Sequence, residues 1–273
     1  MLSVPILAGV RIEAGRIPAQ LDSPAASGVL WQARAGQFLI DTPDAARFLV
    51  TGGNSIVVDI KTGASPERVA RFLQMAPLAA LLYQRGILAC HASAIATAQG
   101  AVLITGSSGS GKSTLAAALI DRGCRPLADD IAAVELDEEE QPTVRPAQTR
   151  TVLWPDAMRR LYPNGLPARW NERTDGARTQ EEPAAIPLCA IFHLSAQPGS
   201  SRWSETDGSA MRRFDLVVRM TWNGRMAEVL LGRSAHLRTA GAVARGTPTK
   251  NLFRSKVGWD AGRLADSIME QWG

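Results

Sequence analysis

Eight consecutive residues carry the strongest chemical signal in the chain: Gly106-Ser107-Ser108-Gly109-Ser110-Gly111-Lys112-Ser113. Glycine, four residues, glycine, lysine and serine form the Walker A pattern of a phosphate-binding loop. The glycines let successive backbone N–H groups turn inward around phosphate oxygens, and a helix starting at the lysine adds its positive N-terminal end. Lys112 then supplies a point charge to the β and γ phosphates, and Ser113 offers its hydroxyl to Mg²⁺. Gly106 through Thr114 are the expected nucleotide-binding residues. A plain glycine-rich turn would leave a lysine at the helix start unexplained.

Two further signals flank the loop. Asp129 and Asp130 lie 17 and 18 residues after Lys112, at the end of an apolar run. On a regular strand their side chains point to opposite faces, one toward the phosphates and its neighbour toward a metal shell or supporting structure. On spacing alone, a turn after a strand explains the pair as well as catalysis does. His91, in Cys90-His91-Ala92-Ser93-Ala94, precedes Lys112 by 21 residues. A lone histidine beside apolar residues reads by itself as a structural group.

The elements needed to hold these residues can be read from local pattern. Strands are expected at 36–40 and 55–60, with Gly, Pro, Asp and Asn clusters between them. Ser65-Pro66-Glu67 starts a helix, Pro77 restarts a segment over 78–85, and Gly86 ends it. The pattern then changes to a strand over 87–96, a turn at Gln99-Gly100 and a second strand over 101–105. A helix over 112–122 follows the glycine-rich loop, with Leu115, Ala118 and Leu119 on one apolar face and Gly123 at its end. Strands are expected at 125–128 and 131–136, and the acidic residues 137–140 form a solvated hairpin tip. Beyond them lie a helix near 156–161, a strand at 188–194, a helical stretch over 226–244, a strand at 249–253 and a helix over 261–271.

In order and spacing, His91-Ala92-Ser93-Ala94, the loop GSSGSGKS, and Arg122-Gly123 leading into Leu127-Ala128-Asp129-Asp130 resemble the catalytic domain of HPr kinase/phosphorylase. The resemblance is tight over 86–136. Pro187 to Leu194 and Gly246 to Arg254 look like later strands of the same fold, a relative of the nucleotide-binding half of phosphoenolpyruvate carboxykinase. It implies an α/β fold with a nucleotide-binding catalytic domain over 86–273; the β-rich lobe with a helical lead-in over 1–85 is read from the local pattern and does not look like the regulatory domain of the HPr enzymes. It also implies ATP and Mg²⁺ as cofactors, and a catalytic set of His91, Lys112, Asp129 and Asp130. Asp130 is the implied general base toward a serine hydroxyl, and Ser113 with Asp129 the implied metal ligands.

The family's signature segment, with a Glu in an apolar stretch containing arginine and glycine, has no counterpart here, so phosphate removal is not expected. Glu172, Glu181 and Glu182 are candidates for a second acidic ligand and otherwise read as surface carboxylates. The overall plan, including Leu82-Tyr83-Gln84-Arg85-Gly86 before the His91 segment, is similar to the HPr-kinase-like tailoring kinases encoded with lasso peptides. They phosphorylate the C-terminal serine of a precursor peptide. That likeness implies an ATP-dependent serine kinase whose partner is a peptide or small protein bearing the acceptor serine. HPr itself as acceptor, or a nucleotide sensor without transfer, are the alternatives.

Composition narrows the field further. With 273 residues, 45% hydrophobic and 21% charged, the chain can bury a core without a disulfide framework. Cys90, Cys124 and Cys189 have no metal-type spacing and read as reduced, mostly buried thiols. No membrane-spanning run and no secretory signal can be read, so a cytoplasmic location is expected. Residues 1–140 hold 11 basic and 14 acidic side chains (net −3), and 141–273 hold 19 and 12 (net +7). A basic second half suits polyphosphate or an acidic peptide as well as a solvated surface. Aromatic residues are only 5% and none interleaves with a basic cluster, so a nucleic-acid partner is not expected. His193 reads as structural and His236 as an exposed helical residue. Arg233 and Arg245 are candidates to neutralise a moving phosphoryl group. Trp154, Trp170 and Trp203 read as core or surface residues, with a peptide-binding lid as the alternative. Homo-oligomerisation stays open.

Overall fold

A computed structural model describes Leu7 and residues 9–146, 184–198, 202–205, 209–255 and 261–273. The helix expected near 156–161, together with Trp154, Trp170, Glu172, Glu181 and Glu182, lies outside these residues. The chain is mixed α/β with two sheets. It divides into two compact units, one of 7–89 with 221–239 and one of 90–220 with 240–273, apart from a few residues at the N-terminus. The break expected after residue 85 falls a few residues from the one observed after residue 89, and residues 221–239 belong with the first unit.

In the first unit, β1 (Arg11–Ala14), β2 (Ala26–Ser27), β3 (Trp31–Arg34), β4 (Gln37–Asp41), β5 (Ala46–Thr51) and β6 (Ser55–Ile60) form a sheet in the order β1-β6-β5-β4-β3-β2. Alternation places Ala46, Phe48 and Val50 of β5 and Ile56 and Val58 of β6 in the core. Gly52 and Gly53, at φ +59° and +70°, make the turn between these two strands. Helix α1 (Pro66–Leu73) begins as its sequence requires, with Ser65 Oγ accepting from the Arg68 N–H at 3.3 Å and Pro66 in the first turn. Helix α2 (Ala76–Gln84) is buried from Ala76 through Tyr83 and packs against β4 and β5. The Tyr83 hydroxyl donates to the carbonyls of Ala89 and Trp222, which fastens the returning segment to α2.

The second unit carries the nucleotide-loop segment. The chain leaves the first unit along β7 (Leu88–Cys90), breaks at His91, and continues as β8 (Ala92–Thr97), β9 (Gly100–Thr105), α3 (Lys112–Asp121), β10 (Arg125–Ala128), β11 (Ala132–Leu136) and β12 (Pro142–Arg145). The single strand expected over 87–96 is thus two, because the His91 N–H donates to the Met220 carbonyl at 2.6 Å. The acidic residues Asp137–Glu140 form the β11–β12 hairpin turn, closed by Asp137 N–H on the Gln141 carbonyl at 3.0 Å. Strand β13 (Ile186–Gln197), β14 (Arg202–Glu205) and α4 (Ala210–Met220) follow. Next come α5 (Gly224–Ala227), a π-helical turn (Glu228–Gly232), α6 (Arg233–Gly246), β15 (Thr249–Ser255) and α7 (Ala261–Trp272).

Strand direction decides where the site forms. β8 is antiparallel to both β9 and β10, whereas β13 is parallel to β9 and β15 is parallel to β13. Hence β9, β10, β13 and β15 all end at the same edge of the sheet, and β8 begins there. In open α/β sheets this carboxyl edge is where ligands bind. One face of the sheet is covered by α3 and α7, whose Leu115, Leu119, Leu264 and Ile268 bury against Val102, Ile104, Phe192 and Leu252. Each such side chain contributes about 1.5–3 kcal/mol of burial free energy, which holds the carboxyl edge in register.

One sequence expectation changes in this framework. His236, expected on an exposed helical face, is 2% exposed, and its Nε2 lies 2.9 Å from Thr221 Oγ1. The π-helical turn just before α6 inserts one extra residue and rotates the helical phase, which carries His236 inward. Arg233 and Arg245, the candidates for neutralising a phosphoryl group, are both exposed on α6. The cysteines are free thiols, Cys90 and Cys124 buried and Cys189 half-buried. Among the described residues no helix is long and apolar enough to cross a membrane, and no group of three or more His, Cys, Asp or Glu is placed to hold a metal.

Candidate active site

The loop between β9 and α3 is shaped by glycines, one of which, Gly106, stands where a side chain could not sit. Gly106 has φ +149°, and a Cβ there would overlap the Leu194 carbonyl oxygen of β13 and lie 2.8 Å from Ser110 Oγ. Gly109 and Gly111 take φ +75° and +103°, the left-handed half of backbone space. The Ser110 N–H donates to the Ser107 carbonyl at 3.1 Å and closes the turn, and Gly111 caps α3. Lys112 is 6% exposed, and its ammonium donates to the carbonyls of Gly106 at 3.0 Å and Ser107 at 3.3 Å. Ser110 Oγ is buried in the loop with no hydrogen-bond partner.

The acidic pair stands at the same edge, at the end of β10. Asp129 is 4% exposed and its Oδ1 accepts two hydroxyls, Ser113 Oγ from the loop at 3.0 Å and Ser93 Oγ from β8 at 2.8 Å. The alternation expected of a regular strand does not continue into the pair. Asp130 has φ +67°, and the Ile131 N–H reaches back to the Asp129 carbonyl at 2.9 Å. That bond across one positive-φ residue is a strained γ-turn. It leaves Asp130 exposed while Asp129 is buried. Strained backbone of this kind costs of order 1–3 kcal/mol and concentrates at functional sites.

His91 sits where β8 starts at this edge, half-buried, its carbonyl accepting from Thr105 Oγ1 at 3.3 Å. Burial holds its imidazole below the usual 6.5, the Lys112 ammonium pushes it the same way, and the Asp130 carboxylate opposes them. Lys112 is also held below its ordinary value by burial, against the pull of Asp130 and Asp129. His91, Lys112, Asp129 and Asp130 therefore form one electrostatic group. His193, on β13, is half-buried with its Nδ1 unpaired, and burial and then Arg219 keep it neutral.

Two participants were invisible in the sequence reading. Ser93 lies within the quoted HASA segment, yet only the β8–β10 pairing brings its hydroxyl to Asp129. Arg254, at the end of β15, also bonds the loop: Nε donates to the Ser110 carbonyl at 2.5 Å and Nη2 to the Gly109 carbonyl at 3.3 Å. A contact between residues 144 apart leaves no local trace in sequence. Chemically, a glycine cradle with a buried lysine suits phosphate oxygens, and a serine hydroxyl beside a carboxylate suits a small hard cation.

No family model and no curated protein matches the sequence. Among solved structures, the HPr(Ser) kinase/phosphatase from Coxiella burnetii is similar at 14% sequence identity, over 67% of this chain and 93% of that chain, with a TM-score of 0.35. A superposition this loose assigns neither family nor activity to the chain.

Proposed function

We propose that the chain is an ATP-dependent kinase that transfers the γ-phosphoryl group to a serine hydroxyl of a peptide, the C-terminal serine of a lasso precursor peptide being the favoured acceptor. One observation carries the reading. The Ser113 hydroxyl of the glycine loop bonds the Asp129 carboxylate at 3.0 Å, so a phosphate cradle and an acidic pair share one sheet edge. Support for the acceptor comes from the sequence resemblance alone.

The residues fit the groups this reaction needs. Gly106 lies against the Leu194 carbonyl where no side chain could stand, which fixes the first turn of the loop, and the unpaired Ser110 hydroxyl is a donor in the cradle. Ser113 and Asp129 would hold Mg²⁺, whose charge neutralises the phosphate oxygens as negative charge spreads over them. Asp130, exposed and forced outward by its turn, accepts the proton of the acceptor hydroxyl. The serine oxygen bonds to the γ-phosphorus, the bond from that phosphorus to the bridging oxygen breaks, and ADP leaves with the electron pair. Lys112 and the loop amides contribute by positioning and charge stabilisation, because phosphoryl transfer asks little covalent chemistry of the protein. His91, held neutral beside Lys112, is a hydrogen-bonding group at the phosphate and not a cation.

The decisive variant is Asp130→Asn. Asparagine tolerates positive φ nearly as well as aspartate, so the turn survives while the base is lost. ATP affinity should stay within a few fold, and transfer to a serine-terminated peptide, followed by mass spectrometry, should vanish. Wild-type turnover in this variant removes Asp130 from the role. Phosphorylated HPr beside an unmodified peptide replaces the acceptor, and tight ATP binding with no phosphoproduct from any acceptor leaves a nucleotide sensor.

A further inference from the structure

The hydrogen bonds of Arg254 reach past its own strand. Its guanidinium donates to Ser110 O at 2.5 Å and Gly109 O at 3.3 Å, and Nη1 to Ser255 O at 3.1 Å. β15 pairs with β13 on one side and β14 on the other, so the stem of Arg254 rests on a strand that cannot shift easily. The loop apex at Ser107, Ser108 and Gly109 is exposed.

In a planar trans peptide the C=O and the next residue's N–H point in opposite directions. Holding the Ser110 carbonyl toward Arg254 therefore directs the Gly111 N–H to the opposite side of that peptide plane. Holding the Gly109 carbonyl does the same for the Ser110 N–H, which closes the turn onto Ser107 O. Glycines at 109 and 111 make these peptides free to flip, since positive and negative φ cost them nearly the same. We infer that Arg254 is the positioning residue of the phosphate loop, a guanidinium clamp from β15 that fixes the orientation of the peptides at Gly109 and Ser110 so that the loop is ordered before nucleotide arrives.

The inference rests on the nucleotide-binding reading above but not on the identity of the acceptor. Arg254→Lys keeps the charge and loses the planar fork, while Arg254→Gln loses the charge; neither reproduces two parallel N–H donors. If the clamp acts by geometry, both variants raise KM for ATP roughly tenfold and leave kcat at saturating ATP within about twofold, because the lost order is restored by binding. Full rescue by lysine, or unchanged KM in the glutamine variant, overturns the clamp. A second measurement needs no turnover. In protein labelled with ¹⁵N-glycine, Arg254→Lys should shift the Gly109 and Gly111 amide resonances and leave Gly52 and Gly53 in place. Unmoved loop resonances also overturn it. Failure of the wild-type chain to bind ATP in a calorimetric titration would instead sink the nucleotide reading, and the labelled-glycine spectra would still judge the clamp.

Discussion

Replacing Gly106 with alanine tests the loop geometry more sharply than any charge removal. At φ +149° an L-residue is strained, and the added Cβ would overlap the Leu194 carbonyl oxygen. That oxygen belongs to β13, which is held by β9 on one side and β15 on the other, so the neighbour cannot give. Backbone strain of about 1–3 kcal/mol adds to the cost of displacing a central strand or the loop. A total of about 3–5 kcal/mol follows, at the upper end of single-substitution effects. For a protein of this size that lowers Tm by roughly 10 °C, and ATP affinity should fall by at least about 100-fold because the first turn of the cradle moves. Gly109→Ala is the control: its φ is +75° but nothing lies within 4 Å of the added carbon. It should cost only about 1–2 kcal/mol of left-handed strain. Differential scanning calorimetry and isothermal titration with ATP read both quantities. Equal melting temperatures for the two variants, or near-wild-type ATP affinity in Gly106→Ala, would refute the argument that close approach to β13 demands the glycine.

Other expectations concern groups around the site and elsewhere in the chain. Ser93→Ala removes one of the two hydroxyls on Asp129 Oδ1. Loss of such a supporting bond should raise the half-saturating Mg²⁺ concentration roughly tenfold, seen by Mg²⁺ titration of turnover and by Mn²⁺ electron paramagnetic resonance; unchanged metal dependence would show that Ser93 does not orient the carboxylate. His91, His193 and His236 are each held below 6.5, chiefly by burial. Below that pH the unfolded chain binds protons that the folded chain refuses, so stability should fall as pH drops through 6.5 and stay flat above it. Melting temperatures between pH 8 and 5.5 test this, and a rise on acidification contradicts it. The Cys90 thiol, pushed up to about 12 by burial, should resist thiol reagents at pH 8 until the protein unfolds, while half-buried Cys189 reacts first. Fast labelling of Cys90 in the native state would count against the packing around β7.

What was legible in the sequence was local. Ser65-Pro66 starts α1, Gly86 (φ +80°) follows α2 and Gly123 (φ +105°) follows α3, because caps and turns are settled within a few residues. Helix α4 was missed, although Phe214, Val217 and Met220 recur at three-residue spacing along its partly buried face. The π-helical turn at Glu228–Gly232 could not be read, since its hydrogen-bond pattern has no residue signature, and with it went the burial of His236.

The glycine loop, its lysine and serine, and the order of strand, loop and helix were determined by the sequence alone, because each depends on neighbours in the chain. Tertiary structure decided everything that depends on strand order and direction. It ended β9, β10 and β15 at one edge, set Ser93 on Asp129 and brought Arg254 across 144 residues to the loop. Such contacts arise from sheet pairing between distant segments, whose free energy is spread over whole strands and leaves no mark on any single residue.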